Sequence, residues 1–278
     1  MPELPDVEGF GKILARHAAG RCITEVMIED TGVLRGVDEH TLRGTVVGLA
    51  FAKPLRHGKW LAVPMRQVGR VHRKSDPTVV FHFGMTGELV WCPLRRGEVE
   101  PRHRDDRIIF RTEHGELRYR DLRKLHGVRL VPDDTSLERL LGHLGPDALN
   151  VSAAEFRERL AGLCRQIKPA LMDQDVVAGL GNLLVDEILW RSRIHPRRQT
   201  TDLSDHDLAR LYRHMRKVLH DSIPTGRVPG YDGWLTGVRD EEGAPCPRCG
   251  TPLRRSRTGG RATVWCATCQ PSPSALPE

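Results

Sequence analysis

Four cysteines near the end of the chain have the spacing of a metal site. They form two Cys-x-x-Cys pairs, Cys246 with Cys249 and Cys266 with Cys269, and sixteen residues separate the pairs. Four thiolates are the ligand set of a closed tetrahedral zinc site, and this gap lies within the range typical of such sites. The sequence therefore predicts one structural Zn²⁺ ion bound by these four cysteines.

The segment between the two cysteine pairs is basic and predicts a hairpin. It contains Gly259-Gly260, followed by Arg261 and the β-favouring run 262–266. Further arginines precede the turn, at Arg254, Arg255 and Arg257. Because two glycines between such runs are typical of a tight turn, we expect Arg261 at or beside the tip. A small basic hairpin suits contact with DNA phosphates or insertion into the minor groove; the alternative is a zinc site that only folds a short tail.

The overall charge agrees with a polyanionic partner. The chain has 278 residues, a formal net charge of +7 and a pI near 9.2, which draws a protein toward nucleic acids. Three cysteines remain outside the two pairs, and the N-terminus has no apolar signal segment. Such thiols are typical of a reducing compartment, so we expect a cytoplasmic, nucleoid-associated protein. The longest apolar run, 176–185, is shorter than the roughly 18 residues of a membrane span, so no membrane partner is expected.

The chain changes its periodicity twice. Residues 5–19 have the apolar stripe of one amphipathic helix. From residue 23 to about 131, short β-favouring runs alternate with turns, which predicts a sandwich or barrel. The clearest runs are 45–48, 60–63, 79–83, 88–91 and 107–110. After residue 132 the period becomes helical, with helices expected from Ser152, around 183–189 and from Ser204.

These changes predict a multidomain α+β protein with three domains. Residues 1–131 form an N-terminal β-sandwich domain with a leading helix. Residues 132–228 form a helical domain, and residues 229–278 form the zinc β-hairpin. A length of 278 residues accommodates this many domains.

Five motifs, in order along the chain, resemble those of the formamidopyrimidine-DNA glycosylase and endonuclease VIII family. They are MPELPDVE at 1–8, HFGMTG at 82–87, IKPALMD at 167–173, VAGLGN at 177–182 and the hairpin run RATVWC at 261–266. The resemblance covers essentially the whole chain. It implies the family's architecture, a β-sandwich domain joined to a helix–two-turn–helix domain and a zinc finger. It also implies the family's activity, the excision of damaged bases from DNA in base excision repair.

The resemblance assigns catalysis to Pro2, Glu3 and Lys59. Removal of Met1 would expose the secondary amine of Pro2, which would attack the anomeric carbon of the damaged nucleotide and form an iminium. Because an iminium permits β-elimination of the 3′ phosphate, the expected enzyme is a DNA glycosylase with abasic-site lyase activity. Glu3 would be the acid/base group. Lys59, matching the family's strand lysine, would hold the phosphate at the lesion and assist base loss.

The resemblance also assigns contacts with DNA. Lys168 and Asn182 match phosphate-binding residues of the helical domain, and Asn182 suits the N-cap of a helix, whose free N–H groups attract phosphate. An enzyme that excises a base rotates it out of the duplex and fills the gap left behind. Met85 and Arg123 match the gap-filling residues of the family, and Arg261 is expected to contact DNA from the zinc hairpin.

Two segments depart from the formamidopyrimidine branch of the family. That branch carries Asp-Pro-Arg-Arg-Phe-Gly where this chain has residues 121–127, Asp-Leu-Arg-Lys-Leu-His-Gly, so Leu125 or His126 replaces the stacking phenylalanine. Only residues 224–228 stand where the branch has a longer loop over an oxidised purine. The preferred lesion therefore stays open among oxidised purines, oxidised pyrimidines, ring-opened purines and bulkier adducts. The choice between β- and β,δ-elimination stays open as well.

Two other functions compete with a monomeric glycosylase acting on damaged or abasic double-stranded DNA. A non-catalytic, zinc-dependent protein that binds damaged DNA would need the same basic finger but no particular N-terminus. A metal-dependent nuclease would need clustered carboxylates, for which the pairs Asp105-Asp106 and Asp133-Asp134 are the obvious choices. The intact Pro2-Glu3 pair favours the glycosylase over both.

Overall fold

The computed structural model describes residues 1–272, and the chain forms two compact units. The first unit comprises Met1–Pro2 and Asp6–His143, and the second comprises Glu3–Pro5 and the chain from Leu144 onward. The helical region and the cysteine hairpin, expected as separate domains, both lie in the second unit. Residues 3–5 therefore pack with residues that come far later in the chain.

Two antiparallel sheets form the body of the first unit. The strands are β1 (Ile23–Ile28), β2 (Leu49–Phe51), β3 (Leu55–His57), β4 (Trp60–Gln67), β5 (Thr78–His82), β6 (Glu88–Pro93), β7 (Asp106–Thr112), β8 (Gly115–Arg120) and β9 (Gly127–Val131). One sheet has the order β1-β7-β8-β6; the other has the order β2-β4-β5-β9, with β3 paired to β4. The helices of this region are α1 (Leu4–His17), α2 (Glu39–Val46) and α3 (Asp134–Leu141).

One apolar core joins residues of both sheets. On β8, Leu117 and Tyr119 are fully buried in this core, while the alternate residue Arg118 points to the opposite side of the strand, as the period of two requires. The ring of Phe81, from β5 in the other sheet, lies 6.0 Å from the ring of Tyr119. The predicted β-sandwich is therefore confirmed.

One of the expected strands is a helix. Residues 45–48 were expected as a β-run, but α2 covers Glu39–Val46. The reason is the side chain of Asp38, which accepts a hydrogen bond from the backbone N–H of Thr41 at 2.8 Å and so caps the first turn. This cap outweighs the mild helix penalty of the β-branched residues at the end of α2. The other four expected runs fall largely within β4, β5, β6 and β7.

Helices dominate the first part of the second unit. They are α4 (Ala153–Ala161), α5 (Ile167–Met172), α6 (Asn182–Arg191), α7 (Asp205–Ser222) and the short α8 (Leu235–Val238). The three expected helices correspond to α4, α6 and α7, whereas α5 and α8 are too short to show a period. Ser204 and Asp207 form a reciprocal capping box at the start of α7. Within residues 1–272, no helix combines the length and the apolar character that crossing a membrane requires.

The expected hairpin lies in the second unit. Its strands are β10 (Arg254–Thr258) and β11 (Arg261–Trp265), and Thr258 pairs with Arg261 across a two-residue turn. Gly259 and Gly260 have φ angles of 57° and 73°, the left-handed values that this kind of turn demands. A Cβ atom on Gly259 would lie only 2.7 Å from Cγ of Pro169. Glycine is therefore required there for packing on α5 as well as for the turn.

Candidate functional site

Glu3 is held at the start of α6. Its side chain is fully buried, and its carboxylate accepts hydrogen bonds from the backbone N–H groups of Leu183 at 2.8 Å and Leu184 at 3.1 Å. N–H groups in the first turn of a helix lack acceptors within the helix and favour negative charge. The N-terminus of α6 therefore stabilises and orients the carboxylate of Glu3.

Two glycines of the motif 177–182 make room for the N-terminal residues. A Cβ atom on Gly181 would lie 2.3 Å from Cδ of Glu3, and one on Gly179 would lie 2.6 Å from Cδ1 of Leu4. The backbone N–H of Leu4 also donates to the carbonyl of Gly179 at 3.1 Å. The motifs 1–8 and 177–182 are far apart in the sequence, and only the structure shows that they are in direct contact.

Pro2 and Lys59 belong to the first unit. Pro2 is partly buried and directly precedes the buried Glu3, while Met1 is 39% exposed. Lys59 is partly buried and lies with Gly58 in the turn between β3 and β4, because His57 and Trp60 pair across it. Gly58 has a φ of 56°, the conformation that a tight hairpin turn requires at its first central position. Lys59 is thus at a hairpin tip, not within a strand as the resemblance implied.

The structure brings Met85 and Arg123 together on the first unit. Met85 lies in the turn after β5, and Arg123 is exposed in the loop between β8 and β9. A guanidinium nitrogen of Arg123, Nη1, contacts the sulfur of Met85 at 2.9 Å. The two residues expected to fill the gap in DNA therefore form one continuous surface.

Leu125 and His126 differ in their surroundings. Both residues are exposed, Leu125 at 48%, but the ring of His126 also packs at a tilt of 41° against that of His82, with ring centroids 4.0 Å apart. Burial, together with the positive charges of His126 and Lys59, lowers the pKa of His82 to about 3. Burial also lowers the pKa of His126. At neutral pH both imidazoles are therefore uncharged, and Leu125 is an exposed apolar side chain beside them.

Lys168 is buried rather than available to a phosphate. Its side chain is fully buried, and its ammonium donates to Oδ1 of Asp186 at 2.6 Å, to the carbonyl of Ala262 at 2.9 Å and to Oγ1 of Thr263 at 2.9 Å. An ammonium has three hydrogens to donate, so these bonds use all of them. In this arrangement the ammonium bonds within the protein, and the phosphate contact implied by the resemblance stays a prediction.

Asp186 and Arg239, which the sequence did not single out, complete the same cluster. The guanidinium of Arg239 donates to Oδ2 of Asp186 at 2.9 Å, and the backbone N–H of Val264 donates to the same oxygen at 3.3 Å. Burial lowers the pKa of Lys168, while the charge of Asp186 and its hydrogen bond oppose that shift. The cluster ties β11 of the zinc hairpin to α5 and α6.

Asn182 is the first residue of α6, and the N-cap position belongs to Gly181 rather than to Asn182 as expected. Within residues 1–272, the side-chain Oδ1 of Asn182 is buried and has no hydrogen-bond partner. An unpaired buried amide is costly, and the O and N of an amide are interchangeable by rotation. Asn182 therefore has hydrogen-bonding capacity that a ligand at the start of α6 can use.

The four cysteine sulfurs fit a tetrahedral zinc ion. All lie within 4.8 Å of one another, with separations of 3.9 Å for Cys246–Cys269 and 3.5 Å for both Cys249–Cys266 and Cys249–Cys269. A zinc–sulfur bond of about 2.3 Å places tetrahedral sulfurs about 3.8 Å apart. The indole N–H of Trp190, from α6, donates to the sulfur of Cys246 at 3.3 Å, which connects the metal site to the helices.

Arg261 directly follows the turn of the hairpin and is exposed. The other hairpin arginines, Arg254, Arg255 and Arg257, are exposed as well. The hairpin therefore presents several guanidinium groups to solvent close to its tip, in agreement with the expected basic finger.

The aspartates that a nuclease would need for a metal site bond to other groups of the protein. Asp105 pairs with Arg107 at 2.9 Å, and Asp106 pairs with Arg120 at 2.8 Å. Asp133 accepts from the backbone of Ser136 at the start of α3. Within residues 1–272, the four cysteines are the one group of three or more candidate ligands close enough to share a metal ion. The nuclease interpretation is therefore not supported.

Comparison with known proteins identifies the family. The model of the formamidopyrimidine-DNA glycosylase N-terminal domain matches residues 1–128, that of its H2TH domain matches 144–229, and that of the zinc finger found in FPG and IleRS matches 243–271. A formamidopyrimidine-DNA glycosylase of Pelotomaculum thermopropionicum is 34% identical over 287 residues, which cover 97% of this chain and 99% of the relative. The chain belongs to the formamidopyrimidine-DNA glycosylase family.

Solved structures of this family agree with the assignment. The Lactococcus lactis Fpg (MutM) bound to DNA containing N7-benzyl-Fapy-dG matches with a TM-score of 0.83 and 27% identity, over 98% of this chain and 100% of that one. The same protein bound to DNA containing an oxidised pyrimidine matches equally well. The architecture that the resemblance implied is confirmed.

Family membership also resolves two of the expectations. The zinc-finger match spans all four cysteines, so one structural zinc ion in this member of the formamidopyrimidine-DNA glycosylase family is confirmed. A DNA glycosylase of base excision repair is favoured over a non-catalytic DNA-binding protein, because the model of the glycosylase N-terminal domain matches residues 1–128.

Proposed function

We propose that this chain is a bifunctional DNA glycosylase and abasic-site lyase that removes damaged bases from double-stranded DNA. The observation that carries the proposal is the position of Glu3, whose buried carboxylate is fixed by the N–H groups of Leu183 and Leu184 directly after Pro2. A catalytic group held by packing and by hydrogen bonds is preorganised for its task. The Lactococcus lactis Fpg forms complexes with DNA that contains N7-benzyl-Fapy-dG or an oxidised pyrimidine, which supports such substrates here.

Pro2 is the proposed nucleophile. After Met1 is removed, the α-amine has an ordinary pKa of about 7.7–8, so roughly a tenth of it carries a free lone pair at neutral pH, far more than for a lysine with a pKa of about 10.4. Attack on the anomeric carbon forms the carbon–nitrogen bond and expels the damaged base, and loss of the amine proton with ring opening leaves an iminium. The iminium accepts the electrons released when the C2′ proton leaves, and the 3′ phosphate departs by β-elimination. Glu3 serves as the acid/base group for these proton transfers.

Lys59 and Asn182 are the proposed phosphate contacts. The turn between β3 and β4 places Lys59 at a hairpin tip, a position from which an ammonium reaches a backbone phosphate. Asn182 is the first residue of α6, and its side-chain NH₂ is the donor that a phosphate oxygen needs, since the N–H groups of Leu183 and Leu184 already bond Glu3. We assign the phosphate at the lesion to Lys59 and a neighbouring phosphate to Asn182.

Met85, Arg123 and Leu125 are the proposed gap-filling residues. The contact between Met85 and Arg123 supports their joint entry into the space that the extruded nucleotide leaves. Leu125 and His126 are both exposed; Leu125 is chosen because the ring of His126 already packs against that of His82, with centroids 4.0 Å apart. Arg123 would face the orphaned base with its guanidinium donors.

Arg261 and Lys168 take different roles in the zinc hairpin. The exposed Arg261 is the proposed DNA contact. Lys168 is proposed to hold the hairpin against α6 through its hydrogen bonds to Asp186 and Thr263. This role would replace the phosphate contact that the resemblance implied. We further propose that the enzyme acts as a monomer in the cytoplasm, at the nucleoid, because each role is filled within one chain and the substrate is chromosomal DNA.

Reductive trapping tests the covalent step. Borohydride added to the protein with a duplex containing an abasic site should reduce the iminium to a stable amine, joining one protein molecule to one strand. Mass spectrometry should place the crosslink on the N-terminal peptide. A residue inserted between Met1 and Pro2 converts the amine into a tertiary amide, so trapping should vanish while binding to the duplex persists.

Glu3→Gln tests the acid/base assignment. The variant keeps the shape of the side chain but should lose most base excision while still binding the duplex. Glu8→Gln is the matched control, because Glu8 is a nearby glutamate on α1 that pairs with Arg56 at 2.8 Å; it should excise bases at the normal rate. Efficient trapping through a lysine after Pro2 is blocked would overturn the proposal and make Lys59 the leading nucleophile.

A further inference from the structure

The two loops that carry Met85 and Arg123 are joined by a hydrogen-bond cluster around the buried carboxylate of Asp121. The hydroxyl of Thr86, next to Met85, donates to Oδ1 of Asp121 at 2.6 Å. The backbone N–H of Arg123 lies 3.1 Å from the same Oδ1 and 3.0 Å from the hydroxyl oxygen of Thr86. Thr86, Asp121 and the backbone of Arg123 therefore form a closed triangle between the loops.

Asp121 is itself rigidly placed. Its side chain is fully buried, and its Oδ2 lies 3.2 Å from the hydroxyl of Tyr119 on β8. Its backbone N–H donates to the carbonyl of Asp105 at 3.0 Å, and its carbonyl accepts from Arg107 at 2.8 Å. Burial and the charge of Asp121 raise the pKa of Tyr119, so that its hydroxyl keeps its proton. The triangle is thus anchored to the sheet.

The side chains in front of the triangle are flexible. Met85 has several rotatable bonds and no branch, and Arg123 is exposed. Ordering such side chains costs conformational entropy at the moment of binding. A fixed loop backbone reduces this entropy cost, because the Cα atoms of Met85 and Arg123 are then already in the position that binding requires.

We propose that Thr86 and Asp121 are positioning residues that make the two loops act as a single wedge during base extrusion. This inference rests on the proposed function, because it assumes that Met85 and Arg123 enter the gap. Thr86 and Asp121 touch neither the damaged base nor the reacting atoms; they act through Met85 and Arg123. Their loss affects extrusion of the base and leaves the chemistry at Pro2 intact.

The test compares Thr86→Val with Thr86→Ser under single-turnover conditions. Thr86→Val keeps the shape and removes the hydroxyl, and excision of a damaged base from a duplex should slow by roughly tenfold, as loss of a hydrogen bond to a buried carboxylate predicts. Thr86→Ser keeps the hydroxyl and should stay close to the wild type. Cleavage of a preformed abasic site, where no base must be unstacked, should slow much less in Thr86→Val.

Two further measurements separate positioning from general damage to the fold. Thr24→Val is the matched control, because the hydroxyl of Thr24 bonds the backbone of Arg111 elsewhere in the first unit; it should leave excision unchanged. A 2-aminopurine beside the damaged base should report weaker unstacking when Thr86→Val binds. Should Thr86→Val fold poorly, Asp121→Asn is measured with the same two substrates, and the same selective loss is expected.

Either of two results would overturn the inference. Equal slowing on the damaged-base duplex and on the abasic duplex would show that the triangle supports the fold in general. An unchanged rate for Thr86→Val on both substrates would show that the loops act independently. In either case an active, trappable wild type keeps the proposed function, whereas a wild type that neither traps nor excises removes the proposed function itself.

Discussion

The ammonium of Lys168 lies 2.6 Å from a carboxylate oxygen of Asp186, and both side chains are fully buried. This pair connects α5 to α6, and Arg239 and Thr263 extend it to the zinc hairpin. A buried pair adds little net stability compared with apolar residues, but removal of one partner leaves the other charge uncompensated. The basic finger therefore depends on an internal ion pair as well as on its metal.

Lys168→Met tests that dependence. Because Arg239 still pairs with Asp186, we expect a loss of roughly 3 kcal/mol in the free energy of unfolding, at the low end for breaking a buried pair. Urea titration with a measurement of bound zinc gives the readout. Lys217→Met is the control, since Lys217 makes an exposed i,i+4 pair with Asp221 at 3.1 Å that contributes about 0.5 kcal/mol or less. Unchanged stability together with weaker DNA binding would instead support the phosphate contact.

Loss of zinc should disable the finger without unfolding the first unit. Cys249→Ser removes one of four ligands, and folding of a small zinc module depends on its metal. We expect loss of bound zinc and of duplex affinity, with the β-sandwich signal in circular dichroism retained. Because Trp190 contacts Cys246, its fluorescence should also change. Retained zinc with near-normal binding would contradict the assignment.

Arg261→Ala should weaken duplex binding to a similar extent for different sequences. Loss of one phosphate contact reduces the dependence of log K on log salt by about one unit. Affinity measured at several salt concentrations provides the slope. Arg261→Lys retains the charge and should keep the wild-type slope, so a shared slope in all three proteins would place Arg261 away from DNA.

The lesion preference should differ from that of an oxidised-purine specialist. Between the 3₁₀ turn Ile223–Thr225 and α8 the structure contains no further helix or strand, and Leu125 or His126 stands where the branch has phenylalanine. We therefore expect 8-oxoguanine opposite cytosine to be excised no faster than a ring-opened purine or an oxidised pyrimidine. Single-turnover rates on a panel of single-lesion duplexes decide the question, and a clear preference for 8-oxoguanine would show that the short segment still covers the base.

Local features of the sequence predicted local structure well. The Cys-x-x-Cys spacing, the turn at Gly259-Gly260 and the serine that begins α7 each depend on residues only a few positions apart. The expected run at 45–48 is wrong because Asp38, seven residues earlier, supplies a cap that starts α2. Helices α5 and α8 were missed because a segment of four to six residues carries too little periodicity to detect.

The sequence by itself determined the zinc ligands and the order of the sheet, helix and hairpin segments, because these follow from composition and short spacing. It indicated the family through the resemblance of five motifs to those of known proteins. Only the tertiary structure decided that Glu3 accepts hydrogen bonds at the start of α6, that Lys168 forms a buried ion pair with Asp186, and that Thr86 donates a hydrogen bond to Asp121. Each of these pairs joins residues distant in the chain. Whether a charged side chain faces water or a buried partner is set by that long-range packing, which spacing along the sequence does not encode.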